Sequence, residues 1–255
     1  MKKVFSLMMC LVAFAALSAC GGTGSKDGGG DGSKDGGGDG SKCGANCAML
    51  DAAMKPYTDG TVQAQYWVTV HANAEAGQYW ETTSKMSGME YKTKWQVAAK
   101  DGDNWIVETT STMMGQGYVL AYCVDPSKKM EDHVNVLKAW IGKPNGKPTE
   151  IKVMEYKDPG TGTATESDWT MDTKTEDFSD VEMGGMKWSG KKTTMTGKHK
   201  NGKDWMETTS WTANDGWFGG VIKTTNKGES SGYAYESSTE LTAANKDGKP
   251  WLSWG

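Results

Sequence analysis

Arginine is absent from this chain. All 28 basic residues are Lys, set against 32 Asp and Glu for a formal net charge of −4. A nucleic-acid reader displaces counterions with a basic face and reaches guanine edges with guanidinium forks. An acidic chain without Arg is not built for that partner. Branched aliphatics are scarce too: Leu, Ile, Val and Phe total 30 of 255 residues, under the roughly 20% that usually accompanies a stable core. The net charge is too small for that scarcity to mean disorder. Beyond the N-terminus no apolar run approaches the ~20 residues of a membrane-spanning helix, and no heptad or collagen repeat occurs. What remains for a core is 12 Trp, 16 Met and 9 Tyr, an interior of aromatics and thioethers.

The chain opens with Lys2 and Lys3, an apolar stretch from Val4 to Leu17, and Leu17-Ser18-Ala19-Cys20. The stretch is too short to span a bilayer and has the flanks of a signal peptide. Leu17 to Cys20 resembles the lipobox of bacterial lipoproteins. That resemblance implies cleavage after residue 19 and a Cys20 N-terminus carrying diacylglycerol and an amide-linked acyl chain, an anchor of more than one chain and therefore firm. Gly21, where proteobacterial lipoproteins retained in the inner membrane carry Asp, implies the outer membrane.

Residues 20–44 form the next unit. Ser25 to Gly32, Ser-Lys-Asp-Gly-Gly-Gly-Asp-Gly, repeats at once as Ser33 to Gly40. It has nothing to bury and reads as a flexible tether spanning roughly 25 Å. A calcium-binding roll needs an apolar position in each repeat, which this octad lacks. After Cys20, three thiols remain: Cys43, Cys47 and Cys123. An exported context permits one disulfide and leaves one thiol over. Cys43–Cys47 would be a local clip and Cys47–Cys123 a link across the fold. No His stands at metal-ligand spacing from them, so neither a metal site nor a cofactor is expected.

Residues 45–255 read as one β-rich domain. A short helix is expected near 45–55, with Asn46 as its cap and Met49, Leu50, Ala53 and Met54 on one side. Period-two runs follow at 63–71, 78–83, 90–99, 105–111 and 117–124. Met130, Val134, Leu137 and Ile141 recur at helical spacing and predict a second helix over 127–141. Strands resume at 150–156 and continue nearly to Trp254.

An internal repeat organises these strands. Lys100-Asp-Gly-Asp-Asn-Trp105 recurs as Lys200-Asn-Gly-Lys-Asp-Trp205 and again as Lys246-Asp-Gly-Lys-Pro-Trp251, each a hairpin signal of the type I′ kind. Glu108-Thr-Thr-Ser111 matches Glu207-Thr-Thr-Ser210, with one extra residue in the first copy that a bulge near Ile106 would absorb. Two related β-halves follow, at about 60–125 and 150–245. The fold class expected is mainly β, a strongly curved antiparallel sheet forming a half-barrel or a barrel.

Pairing about residues 101–102 places Tyr91, Thr93, Trp95, Val97 and Ala99 on an apolar face. Trp105 falls on the polar face, as do Trp205 and Trp211 with Glu207, against Lys198 and Thr196. Tyr91, Trp95, Trp105, Trp205 and Trp211 are thus the candidate ligand-face aromatics. No nucleophile elbow, phosphate loop or His-x-x-x-His occurs. Glu131-Asp132-His133 are adjacent and cannot form a relay on a helix. Glu81, Glu108 and Glu207 sit in Thr-rich strands and read as β-surface rather than paired glycosidase acids. A non-catalytic binding module is expected. Its architecture resembles the half-barrel lipoprotein-carrier and sorting proteins of bacterial envelopes, which implies a lipid or other apolar ligand. The alternatives are envelope scaffolding, or a surface lipoprotein that binds glycan or protein through exposed aromatics.

Overall fold

The structure, a computed structural model, describes residues 45–71, 74–112, 117–157 and 168–254. The signal segment, Cys20, the octad tether and Cys43 lie outside them, as does the side chain of Cys47. Helix α1 (Ala45–Thr58) precedes the strands β1 (Tyr79–Met86), β2 (Met89–Asp101), β3 (Asn104–Ser111), β4 (Val119–Val124), β5 (Val136–Gly142) and β6 (Thr149–Ile151). The second half supplies β7 (Trp169–Met183), β8 (Met186–His199), β9 (Trp205–Ala213), β10 (Val221–Ser230) and β11 (Tyr233–Asn245). They form one open antiparallel sheet ordered β6-β5-β4-β3-β2-β1-β11-β10-β9-β8-β7. Each half is a meander, and β11 pairs with β1 at the seam.

Turn chemistry sets the registers. Ser87–Gly88, Gly184–Gly185 and Ser231–Gly232 each hold two successive residues at positive φ, the pattern of a type I′ hairpin turn. At the β2–β3 turn only Gly102 has positive φ, so this two-residue loop follows the II′ pattern, not the expected I′. The third repeat copy, Lys246 to Trp251, is no hairpin. It belongs to the C-terminal segment, where the Gly248 amide donates to the Gly77 carbonyl.

The sheet curls strongly. Four strands separate β7 from β1, yet the β7–β8 turn comes back over β11, where the Ala244 amide donates to the Gly184 carbonyl at 2.8 Å. A Cβ on Gly184 would meet Leu241 Cγ at 2.8 Å, so the inside of the curl is the face carrying Leu241. Trp80, Trp95, Val97 and Val107 share that concave face by register. Over β4 to β6 it is covered by α1, with Leu50, Ala53, Met54 and Tyr57 on Tyr118, Ala139, Ile141 and Ile151. At the middle it is covered by the β9–β10 loop.

Two expected elements differ. The 127–141 helix is absent: a 3-10 turn at 130–132 ends at His133, φ 63°, and β5 starts at Val136. A residue in the left-handed region stops a helix. Leu137, expected on the helix's apolar side, is 51% exposed. The 63–71 run is extended but forms no strand. Its one ladder contact is the Ala64–Val153 bridge, and the Asn135 side chain replaces a neighbouring strand by accepting from the Val68 amide and donating to the Val68 carbonyl. Of the 150–156 run only Glu150 and Ile151 are strand, at the end of β6.

Candidate ligand-binding face

The concave face has two chemically distinct halves. Its aromatic part lies over β1, β2 and the ends of β8 to β11. Trp80, Trp188 and Trp217 form a triad with ring centroids 5.5 to 6.2 Å apart, and the Trp188 indole donates to the Met183 carbonyl. Trp95 stacks on Tyr122 at 6.4 Å and meets Phe218 at 6.0 Å. Phe218 touches both the cluster beneath α1 and the Trp80 cluster. The loop that brings in Trp217 and Phe218, residues 214–220, closes on itself through Ala213 N to Gly220 O at 2.7 Å and Gly220 N to Trp217 O at 2.9 Å. Phe218, Gly219 and Gly220 all have positive φ. For a bulky residue such as Phe218 that conformation is strained and persists only where surroundings enforce it.

Among the described residues no helix lies on the other part of the concave face, over β7 to β11. Three successive cross-strand rows on it carry no charge, and the row that borders them on β7 and β8 holds the Asp177–Lys191 ion pair. Thr175, Thr193, Ser210, Thr224, Thr239 and Ser84 stand in register. The next row is Thr173, Met195, Thr208, Asn226 and Ser237. Beyond it come Met171, Gly197, Met206, Gly228 and Tyr235. Hydrogen bonds join neighbours along the first two rows: Thr175 with Thr193 at 3.2 Å, Ser84 with Thr239 at 2.8 Å, and Thr208 donating to Asn226, which donates to Ser237. Hydroxyls both donate and accept, so such rows keep sites free for an outside partner.

The convex face is different in kind. The row Glu176, Lys192, Trp211, Lys223 and Glu240 places opposite charges side by side. Lys192 and Lys223 stand over the Trp211 ring at 5.4 and 5.7 Å. Glu207 pairs with Lys227 at 2.9 Å. Glu81 is buried, receives the Tyr79 hydroxyl at 2.7 Å, and pairs with Lys92 and Lys94 at 3.1 and 3.4 Å. Burial raises its carboxyl pKa, but the Tyr79 hydrogen bond and the two ammonium groups outweigh it and hold the pKa at about 2. Burial and the adjacent Glu81 push the Tyr79 phenol up. Glu108, fully buried, accepts from Gln96 Nε2, from the Trp251 and Leu252 amides and from the Trp254 indole. It pins the C-terminal segment onto β2 to β5. The three carboxylates thus hold separate partners, and Glu81 and Glu108 stand two strands apart.

The sequence-predicted aromatics divide accordingly. Tyr91 and Trp95 are on the concave face. Trp105 is there too, not on the polar side: it pairs with Lys100, whose ammonium lies 5.6 Å from its ring, and packs with the cluster beneath α1. The expected register was displaced because the turn centres on 102–103 and a bulge falls at Ala98, opposite Ile106 and Val107. That bulge also turns Ala99 to the convex face, against Ile106. Trp205 pairs with Lys198 and Glu207 with Thr196; Trp211 shares their face by register and also packs against the Trp80 cluster. Cys123 is a buried free thiol packed against Ala98 and Ile106, on the face opposite α1, and burial raises its pKa. His133 stacks on Tyr156 at 4.4 Å. Among the described residues no group of His, Cys, Asp and Glu is arranged to hold a metal.

Trp217 and Phe218 carry no strand alternation that would place them on a face, although Gly216-Trp-Phe-Gly-Gly220 is a conspicuous loop signal. The uncharged rows emerge only once five strands are aligned, so no single segment displays them. Two surface hollows, about 950 Å³ beside the Asp101–Asn104 turn and about 550 Å³ between the end of α1 and β5–β6, have mixed polar and apolar walls. Neither opens into the aromatic part of the concave face.

No family model and no curated protein matches this chain. Among solved structures it is similar to a DUF1329 family protein from Desulfovibrio piger, at 9% identity over 69% of this chain and 88% of that one, with a TM-score of 0.27. A superposition that loose transfers no property to this chain.

Proposed function

We propose that this chain is an exported, lipid-anchored module that binds an apolar ligand against the aromatic part of its concave face, beneath the 214–220 loop. One observation carries the reading. The apolar side of an open sheet is closed at Trp80, Trp95 and Trp188 by a short strained loop, where a second sheet or a helix would close it permanently. A ligand that displaces Trp217 and Phe218 exchanges one set of aromatic contacts for another and relieves the backbone at Phe218. The lipobox at Leu17 to Cys20 supports the anchor, with the outer membrane as its location, and the octad tether supplies reach from the bilayer.

The test uses fatty acids of increasing length competing with a fluorescent fatty-acid probe. Binding is expected to saturate at one site and tighten by roughly 0.8 kcal/mol per added methylene until the site is full. Trp95→Ala weakens it, whereas Trp205→Ala on the convex face, where Trp205 is exposed and outside the aromatic cluster, leaves it unchanged. A folded protein that never saturates with any probe sinks the proposal. Cys20→Ser is expected to abolish membrane association, read by detergent fractionation of cells; continued processing and membrane retention would remove the anchor.

A further inference from the structure

We infer that the ligand is an amphiphile with a neutral, polyhydroxylated headgroup, a glycolipid rather than a phospholipid or a free fatty acid. This rests on the apolar-ligand reading above and adds to it what lies next to the aromatic site. Along β10 the buried Ile222 is followed on the concave side by Thr224, and along β11 the buried Leu241 is preceded by Thr239. The apolar floor therefore runs straight into the hydroxyl rows, within one or two residues and without a charged border at β10 and β11. The chain has 60 charged residues, 28 Lys and 32 Asp or Glu, and the convex side of the same strands is laced with them. The three concave rows hold none. A phosphate or carboxylate headgroup laid on these rows meets no cation within them, and Lys191 in the bordering row is already paired with Asp177; desolvating an unpaired charge is costly. A sugar meets hydroxyls and the Asn226 carboxamide, which exchange hydrogen bonds in both directions. Tyr235, 44% exposed at the end of the third row, offers a ring face of the kind sugars stack on.

The experiment holds the tail constant and varies the head. Dodecyl maltoside, dodecylphosphocholine and dodecanoate, each below its micelle concentration, are titrated calorimetrically into the mature protein, with maltose alone as a fourth ligand. The maltoside is expected to bind at least tenfold tighter than the other two dodecyl compounds, and maltose alone to bind far more weakly. Thr224→Val with Thr239→Val keeps the β-branched shape and should erase the maltoside's advantage while leaving dodecanoate affinity unchanged. Equal affinities for the three heads overturn the headgroup inference but leave the apolar site standing. A Thr-to-Val variant that weakens all three alike also overturns it. Maltose binding as tightly as its dodecyl derivative shows a sugar surface independent of the tail, against the joint site proposed. If no dodecyl compound binds, the apolar reading itself falls.

Discussion

Glu81 lies at the centre of the convex face between two Lys on β2, and its acidity has a consequence for stability. The folded protein holds its pKa at about 2, down from 4.5. A depressed carboxylate contributes stability that is fully present above the unfolded value and is lost as pH falls through the folded one. The contribution should therefore drain away between about pH 4.5 and 2. Lys92 and Lys94 remain partly exposed, so solvent screening limits it to on the order of 1–2 kcal/mol. Glu81→Gln should lower the melting temperature at pH 7 and flatten its fall across that acid window. Parallel acid-melting curves for the variant and the parent would show that Glu81 is not a source of the acid sensitivity. Much of the concave face was readable residue by residue: Tyr91, Trp95 and Val97 follow from strict alternation in β2. Trp105 was not, because one bulged residue at Ala98 reverses every face beyond it, and a bulge has no local signature when its residue is an Ala among Ala and Val.

At the scale of elements, the β7–β8 turn separates two costs that glycine substitutions usually mix. Gly184 and Gly185 both have positive φ, 62° and 80°. A Cβ on Gly185 would have nothing within 4 Å, whereas one on Gly184 would stand 2.8 Å from Leu241 Cγ and 3.2 Å from the Ala243 carbonyl carbon. Gly185→Ala should cost about 1 kcal/mol of backbone strain alone. Gly184→Ala should cost clearly more, because the hairpin must lift off β11. Equal melting temperatures for the two variants would mean the turn does not rest on the sheet. Strands with both alternation and a glycine turn were legible in the sequence. The β5 segment was not, and the reason is arithmetic. Val134 to Leu137 is a helical step of three, but Leu137 to Ile141 is a step of four, which returns to one face in a helix and in a strand alike. Only the step of three separates the periods, and a single such step in a short segment does not decide between them. Tertiary pairing with β4 and the left-handed His133 decide it.

For the whole molecule, the C-terminal segment decides how much convex surface is apolar. Leu252 covers Val119 and Ala121, and Trp254 packs edge-on against Trp140 at 5.3 Å, all anchored through Glu108. Ending the chain after Asn245 should leave Glu108 buried without three of its donors, expose that patch and open a route to Cys123. In protein carrying Cys43→Ser and Cys47→Ser, the truncation should speed labelling of Cys123 by a thiol reagent at least tenfold. Labelling as slow as in the full-length chain would mean the segment does not shield it. The two meanders were foreshadowed by the repeat; whether the sheet would stay open was not. The pairing that unites the meanders was not either, because no local pattern specifies which of eleven strands closes a seam.

That seam also sets an order of events. β1 has β2 on one side from the moment both are made, but its other neighbour is β11, whose last residue is Asn245. Until nearly the whole chain has emerged, the edge of β1, with Trp80 beside it, stands open in a half-built sheet. Contacts this distant in sequence are slow to form, and an unpaired edge in a waiting intermediate is where chains join one another instead of themselves. The first half therefore has to be kept from other strands while the second is delivered, and the time of greatest danger for this protein lies before its final strand arrives.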